Sequence, residues 1–542
     1  MRAFLLFLSS AAVRGDTLFA HPSYVCVNKA FPGGWLVTDP STFTQRSVDA
    51  LLASFNGTRG SDTRKLCVSF DLWSLYGGAN ASVYLQSVDA LLALVDANDL
   101  PLSISLDATQ WWQGRPDLYN WWDPSLPGYS PENVANVEWT APFAANATKI
   151  SWRNWGAQFR MPTPHPNFAS PLYRAAAAES LTPIAARIAA WYTALPPTRK
   201  YLLAYVRVSQ ETWVGTNYYF YPGGNALIDR PASEDPTGGP AASLQLGYAA
   251  VCGALDTMER GTTPGCGGSV GAPPEALTPA QLDAVTQSVM NFFAQLLLDA
   301  GLPRSKLMSH VGTFFQRAPP CTPFTPSFPF ACAVFNSPSA ALLPTAFPGW
   351  SMYAADADAA ADEGVPAALG ALVGAPWGAP EFSIFSGTRA QWTAALTGLA
   401  DYRNNRLVVV QNYESIAGDP DVCAAVADFV RAGVGCLVDA PAQLSASRIN
   451  ATAWTFSWTL QLGGCAGGVV SLSVSTMPST LASGELAVAD VFAASTPAAA
   501  EGATVFSLPP GFDAQHVYWG VAAVVATPPQ RMASDAELLI IK

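Results

Sequence analysis

The sequence predicts an α/β fold: a (β/α)8 TIM barrel followed by a C-terminal β-sandwich. Three observations carry this. From about residue 20 to about residue 440, helical segments alternate with short apolar strands that end in a polar residue. The heptapeptide SVDALLA occurs at Ser47–Ala53 and again at Ser87–Ala93, each copy preceding such a strand, so that Asp71 and Asp107 close units 36 residues apart. Beyond about residue 445 the helical pattern stops and β-rich runs take over.

The elements follow in order. Tyr24–Asn28 is the first strand, Leu66–Asp71 the second and Pro101–Asp107 the third. Tyr201–Gln210 is the fourth. A helix over 279–300 has Thr278 as N-cap, Pro279 at its first position, Gln281 completing a capping box and Gly301 as its stop. Lys306–Thr313 is strand five and Trp350–Ala354 strand six. Strand seven lies within Gly374–Ile384, where Gly and Pro blur its limits. Thr388 and Gln391 open a capped helix, Leu407–Asn412 is strand eight, and a helix over 420–432 runs from Asp419 to Gly433. Strands apolar along their whole length belong to a parallel sheet covered on both faces. A doubly wound open sheet would carry a Gly-rich phosphate turn after an early strand, and none is present. Trp454–Gln461, Gly468–Ser475 and Val517–Val525 are strand runs within a β-sandwich over 445–542.

Composition narrows the function. The 542 residues carry 28 Lys+Arg against 40 Asp+Glu, a net charge of −12, and only 13% are charged. Without a basic patch, nucleic acid is excluded as a partner. No apolar run is long enough to span a membrane. Residues 1–15 (MRAFLLFLSSAAVRG) read as a short secretory signal peptide. Asn56, Asn80, Asn146 and Asn450 each begin an N-glycosylation acceptor sequence. Together these predict a secreted or lumenal protein, extracellular or in an acidic endomembrane compartment. The nine cysteines include no CxxC, and the four histidines are far apart, so no metal and no cofactor is expected. Cys252/Cys266, Cys321/Cys332 and Cys423/Cys436 are local pairs able to staple loops, Cys26 and Cys67 form a further possible pair, and Cys465 is left over.

In such a barrel the active site lies at the C-terminal ends of the strands. The polar residues there are Asn28, Asp71, Asp107, Glu211, His310, Asp356, Glu381 and Asn412. Carboxylates dominate among them, and no serine stands at these strand ends. Two carboxylates flanking a barrel mouth suit glycosidic cleavage, one protonating the leaving oxygen while the other attacks the anomeric carbon or activates water.

Glu211, in Val208-Ser-Gln-Glu-Thr-Trp213, ends strand four, and Glu381, in Trp377-Gly-Ala-Pro-Glu-Phe382, ends or follows strand seven. This placement resembles that of the clan A glycoside hydrolases, the large retaining group that includes many β-galactosidases and glucanases, over roughly residues 20–440. The resemblance implies Glu211 as acid/base and Glu381 as nucleophile. It also implies that Tyr353, on strand six, orients the nucleophile. Most members of the clan have Asn before the acid/base, where it binds the sugar 2-hydroxyl; this chain has Gln210.

Seven of the 17 tryptophans fall between Trp111 and Trp155, in the connection after strand three, beside Arg115, Asp117, Asp123, Glu138, Arg153 and Asn154. Sugars present flat C–H faces to aromatic rings and polar rims to charged or amide groups, so this loop suits a carbohydrate. Two or three of these indoles are expected to face a ligand, the others forming the loop's own core. Tyr218, Tyr219 and Tyr221 extend the same platform. The expected substrate contacts are Asp71, Asp107, Trp111, Trp112, Arg153, Asn154, Gln210, His310, Tyr353, Trp377 and Tyr413. For Asp71 and Asp107, capping or ion pairing is an equal expectation. The expected activity is retaining hydrolysis of a glycan. Carbohydrate binding on an inactive barrel, and inversion by another pair such as Asp107 with Glu211, are the alternatives.

Overall fold

The computed structural model describes residues 22–28, 31, 37, 39–77, 81–154, 158–215, 245–272, 274–312, 336–354, 376–384, 387–401, 405–411 and 413–433, and beyond these only the backbone of strands between 437 and 533. Eight parallel strands close into a barrel. They are β1 (Ser23–Asn28), β2 (Arg64–Trp73), β3 (Leu102–Asp107), β4 (Leu203–Thr212), β5 (Leu307–Val311), β6 (Gly349–Ala354), β7 (Trp377–Ile384) and β8 (Asn405–Val410). Each pairs with its neighbours in sequence, and β8 closes on β1. The second strand runs on to Trp73, so Asp71 stands inside it and not at its end.

The helices begin and end where the sequence chemistry puts them. They are α1 (Gln45–Ser54), α2 (Ala81–Asn98), α3 (Pro171–Ala194), α4 (Pro279–Asp299), α5 (Arg389–Asp401) and α6 (Pro420–Ala432). Both halves of the Thr278–Gln281 capping box form at the start of α4. The Asp419 side chain accepts from the N–H groups of Asp421 and Val422, and Gly433 closes α6 at φ +67°, a conformation that favours glycine.

Strand parity divides the core. Val25, Val27, Leu66, Val68, Val206 and Val208 face the helices and belong to the large outer core. Tyr24, Cys26, Cys67, Tyr205, Met308, Leu407 and Val409 fill the barrel's interior as a separate cluster. Further along each strand toward its C-terminal end, the same inward parity brings polar groups: Asn28, Asp71, Arg207 and His310, all buried. The barrel is therefore oily at its base and polar at its mouth.

Cys26 and Cys67, register partners on β1 and β2, form a disulfide, and Cys252–Cys266 form a second. Cys423 is a buried free thiol donating to the Ile416 carbonyl, against the expectation that it could pair with Cys436. Its partner in that expectation, and Cys321, Cys332 and Cys465, lie outside the described residues, as do residues 1–15. The C-terminal strands form antiparallel sheets, one of three strands (443–448, 453–459, 501–507) and one of four (492–497, 469–475, 518–526, 529–533). Among the described residues no helix is long and apolar enough to cross a membrane.

Candidate active site

Both candidate catalytic carboxylates stand in β-bulges. Along the β4–β5 seam, Val208 pairs with Ser309 and Thr212 with Val311, so Ser209, Gln210 and Glu211 together oppose His310. Within this bulge Ser209 (φ 68°) and Glu211 (φ 43°) take left-handed backbone conformations that non-glycine residues rarely adopt. Along β7, Gly378 pairs with Leu407 and Phe382 with Val410, with Ala379 paired to Val408, so Pro380 and Glu381 together oppose Val409. A proline has no N–H for the ladder, and a bulge is where a central strand tolerates one. The extra residue also resets parity. Ala379 faces the helices, and strict alternation would send Glu381 the same way. The bulge turns it into the mouth instead.

The two carboxyl groups converge there. One ligand atom each from Glu211, His310 and Glu381 lie within 4.8 Å of one another, and all three residues are buried. Glu211 is 4% exposed and Glu381 6%. Ser351 on β6, the register partner of Glu381, donates its hydroxyl to Glu211 Oε1 at 2.7 Å. His310 Nε2 lies 2.9 Å from Ser351 Oγ and 3.7 Å from Glu381 Oε2. Burial, with the Arg207 charge adding to it, holds the His310 imidazole well below its ordinary pKa of 6.5, so the ring is neutral at physiological pH.

Beneath this group lies a polar layer. Arg207 Nη2 donates at 2.8 Å to Asp71 Oδ1 and to the Phe70 carbonyl, while Nη1 reaches the Pro380 carbonyl at 3.2 Å. Asp71 Oδ2 accepts from Asn28 Nδ2 at 2.9 Å, which also donates to Gln411 Oε1 at 2.8 Å. Arg207 thus bridges β2 to the bulge that carries Glu381. Asp71 is one half of a buried ion pair, the second of the two roles expected for it.

Asp107 likewise works on the protein. Its Oδ1 accepts from the hydroxyls of Thr109 (2.6 Å) and Ser209 (2.7 Å) and from the Thr109 and Gln210 N–H groups. Gln110 Nε2 donates to the Gln210 carbonyl at 2.6 Å. These bonds hold the backbone that leads into Glu211. Burial raises the Asp107 pKa, with the Thr109 and Ser209 bonds opposing it.

The aromatic expectations separate. Trp111 is partly exposed and stacks on Trp73, centroids 4.4 Å apart and planes 15° apart. Trp73 Nε1 donates to Gln210 Oε1 at 2.7 Å, joining the stack to the residue before Glu211. Trp112, its sequence neighbour, is a core residue, fully buried against Tyr119 and Tyr173 with its indole N–H on the Pro164 carbonyl. Trp377 is also core, packed on Trp350 on the helix-facing side of the barrel. Tyr413 opens a short helix and packs on Phe55 at the end of α1. Trp112 and Trp377 are excluded from a ligand by full burial among apolar groups. Arg153 and Asn154 lie on a short strand, Ser151–Asn154, and Tyr353 on β6, but their side chains lie outside the described residues. Tyr218, Tyr219, Tyr221, Asp356 and Asn412 lie outside them altogether.

Two carboxylates and a neutral histidine could also face a cation. One ligand atom from each lies within 4.8 Å of the others, a grouping that could hold a metal ion. The Arg207 charge nearby opposes a cation there. Sequence reading missed Ser351, Arg207, Trp73 and Gln110. A lone arginine in the apolar run Tyr201–Val208 was a usable signal for Arg207, since a charge inside a barrel needs a partner. Trp73 stands two residues beyond Asp71, the same inward parity. Ser351 carried no signal.

No family model and no curated protein matches the chain. Among solved structures it is similar to a DUF3823 family protein from Bacteroides ovatus, at 12% identity over 25% of this chain, with a TM-score of 0.16. The chain spans 58% of that protein's length.

Proposed function

We propose that this protein is a retaining glycoside hydrolase, with Glu381 as nucleophile and Glu211 as general acid and then base. One observation carries the reading: two buried carboxylates from β4 and β7 bring oxygens within 4.8 Å at the mouth of a closed parallel barrel. Retaining enzymes hold their carboxyl groups about 5–5.5 Å apart, and inverting ones about 6.5–9.5 Å. Asp107, the other partner considered for inversion, is fully engaged with the Ser209 bulge.

In the first step a Glu381 oxygen attacks the anomeric carbon, the bond to the leaving oxygen breaks, and Glu211 gives that oxygen its proton. In the second step Glu211 takes a proton from water, the water oxygen attacks the anomeric carbon, and Glu381 is released. Trp111, backed by Trp73, offers a flat apolar face beside this pair for a sugar ring. Under the same reading, residues 1–15 are a signal peptide, residues 445–542 a β-sandwich accessory domain, and the protein a secreted or lumenal glycoprotein. The two disulfides fit an oxidising compartment.

The test is hydrolysis of a panel of aryl glycosides and natural glycans, with the product anomer followed by NMR. Retention, loss of turnover in Glu381→Gln, and a glycosyl azide product from Glu381→Ala supplied with azide are expected. Inversion would remove Glu381 as nucleophile. Abolition of activity by a chelator would replace the mechanism with a metal-assisted one. Glycan binding without turnover, unchanged in Glu381→Gln, would make the barrel a binding module.

A further inference from the structure

The β4 bulge leaves a gap in the backbone ladder. Between the Val208–Ser309 and Thr212–Val311 pairs no register partner ties the Glu211 segment to β5. Side chains fill this gap: His310 from β5 meets Ser351 from β6, and Ser351 meets Glu211 from β4. The three residues are buried, with His310 and Ser351 wholly so.

Proton counting gives this chain a direction. A serine hydroxyl has one proton, and here it goes to Glu211 Oε1. Toward His310 the same oxygen must accept, so His310 carries its proton on Nε2. The other nitrogen agrees: Nδ1 is buried and has no hydrogen-bond partner among the described residues. A proton placed there would be a buried donor with no acceptor, whereas a bare Nδ1 lacks only a donor. The 3.7 Å from Nε2 to Glu381 Oε2 is too long for a hydrogen bond, so Ser351 is the partner of that N–H.

We infer that His310 and Ser351 are positioning residues, a fixed relay from His310 Nε2–H through the Ser351 hydroxyl to Glu211 Oε1 that holds Glu211 in its bulge and commits Oε1 to accepting. The acidic proton of Glu211 then resides on Oε2. This rests on the reading of Glu211 as the acid/base for its catalytic meaning, though not for its existence. Both act through Glu211. Their effect on catalysis is to fix where Glu211 points.

The relay and its use are tested separately. In full-length protein labelled with 15N-histidine, the four histidines are few enough to resolve, and His310 is assigned by the signal lost in His310→Gln. A protonated Nε2 beside a bare Nδ1 is expected, with the Nε2–H shifted in Ser351→Ala and restored in Ser351→Thr. A protonated Nδ1, an imidazolium, or no response to Ser351→Ala overturns the relay whatever the activity. On aryl glycosides, Ser351→Ala should lower kcat about tenfold or more for poor leaving groups, which need the acid, and little for dinitrophenyl leaving groups, with KM unchanged and Ser351→Thr recovering. An equal loss on both leaving groups overturns the positioning role. A wild-type protein inert toward every glycoside overturns the hydrolase reading, while the NMR result still decides the relay.

Discussion

The Ser209 hydroxyl donates to the Asp107 carboxylate at 2.7 Å across the β3–β4 seam, pinning a residue whose backbone sits at φ 68°. Such a conformation costs a non-glycine residue about 1–3 kcal/mol, and it persists only where surrounding bonds determine it. Asp107 and Gln110 supply those bonds. They spend fold stability to point Glu211 into the mouth.

The strain inverts a usual order of substitution. Glycine ordinarily destabilises a strand more than alanine does, but at φ 68° alanine keeps the strain and glycine removes it. Ser209→Ala is therefore expected to be about 1 kcal/mol less stable than Ser209→Gly, measured by urea denaturation. Asp107→Ala should cost about 3 kcal/mol by removing the acceptor of several buried donors. Under the proposed hydrolase reading it should also lower turnover by about 10²-fold through displacement of Glu211. Equal stabilities for the two Ser209 variants would show that the bulge relaxes without penalty.

Arg207 and Asp71 form a buried ion pair at 2.8 Å, with both side chains almost fully excluded from solvent. Removing one partner strands the other. Arg207→Met is expected to cost about 3–5 kcal/mol, and adding Asp71→Asn should recover a large part of that loss. A double-mutant cycle in urea measures the coupling. Strict additivity of the two losses would mean that Arg207 acts through its carbonyl contacts at Phe70 and Pro380 and not through Asp71.

The barrel was legible because apolar strands sit between helices with explicit caps, such as Thr278–Gln281 and Asp419–Gly433. Strand seven was legible only loosely, because Gly378 and Pro380 interrupt its apolar run, and Pro380 is the bulge. Bulges are invisible to a reading by alternation, since one inserted residue reverses parity for all that follow. The site was half legible. Glu211, Glu381 and His310 come together, and Gln210 is linked to the Trp73–Trp111 stack. Asp71, Asp107, Trp112, Trp377 and Tyr413 support the scaffold instead. A polar strand residue in sequence does not reveal whether its partner is a ligand or a buried arginine. Adjacent tryptophans likewise do not reveal which of the two points outward.

That last ambiguity supplies a contrast. Trp111 and Trp112 are chemically identical, but one is a partly exposed face and the other is fully buried. Trp112→Ala should destabilise the fold by about 3–5 kcal/mol. Trp111→Ala should cost far less stability but weaken retention on an immobilised glycan that the wild type binds, by about 1 kcal/mol or more. Loss of stability in both variants with no separate loss of binding would place Trp111 in the loop's core.

Glu138 ties the loop after β3 to the loop after β4. Its Oε2 accepts from the Gly247 and Ala249 N–H groups at 2.9 and 3.0 Å, and Oε1 from that of Ala250 at 3.2 Å, all from a fully buried position. Burial pushes its pKa from the ordinary 4.5 up to about 7, with the backbone N–H bonds opposing the shift. A folded-state value above the unfolded one means that the folded protein holds this proton more tightly. The stabilisation is then complete below about pH 4.5 and is lost as the pH rises through about 7. The shift corresponds to about 3 kcal/mol. Glu138→Gln has no titrating group at this position, so the stability of the wild type relative to the variant should fall by about that amount between pH 4.5 and pH 7.5. Urea denaturation across this range measures it, with every other titrating group common to both proteins and cancelling in the difference. Parallel profiles would mean that the N–H cradle stabilises the carboxylate as much as burial penalises it, and that the clamp between the two loops is insensitive to pH.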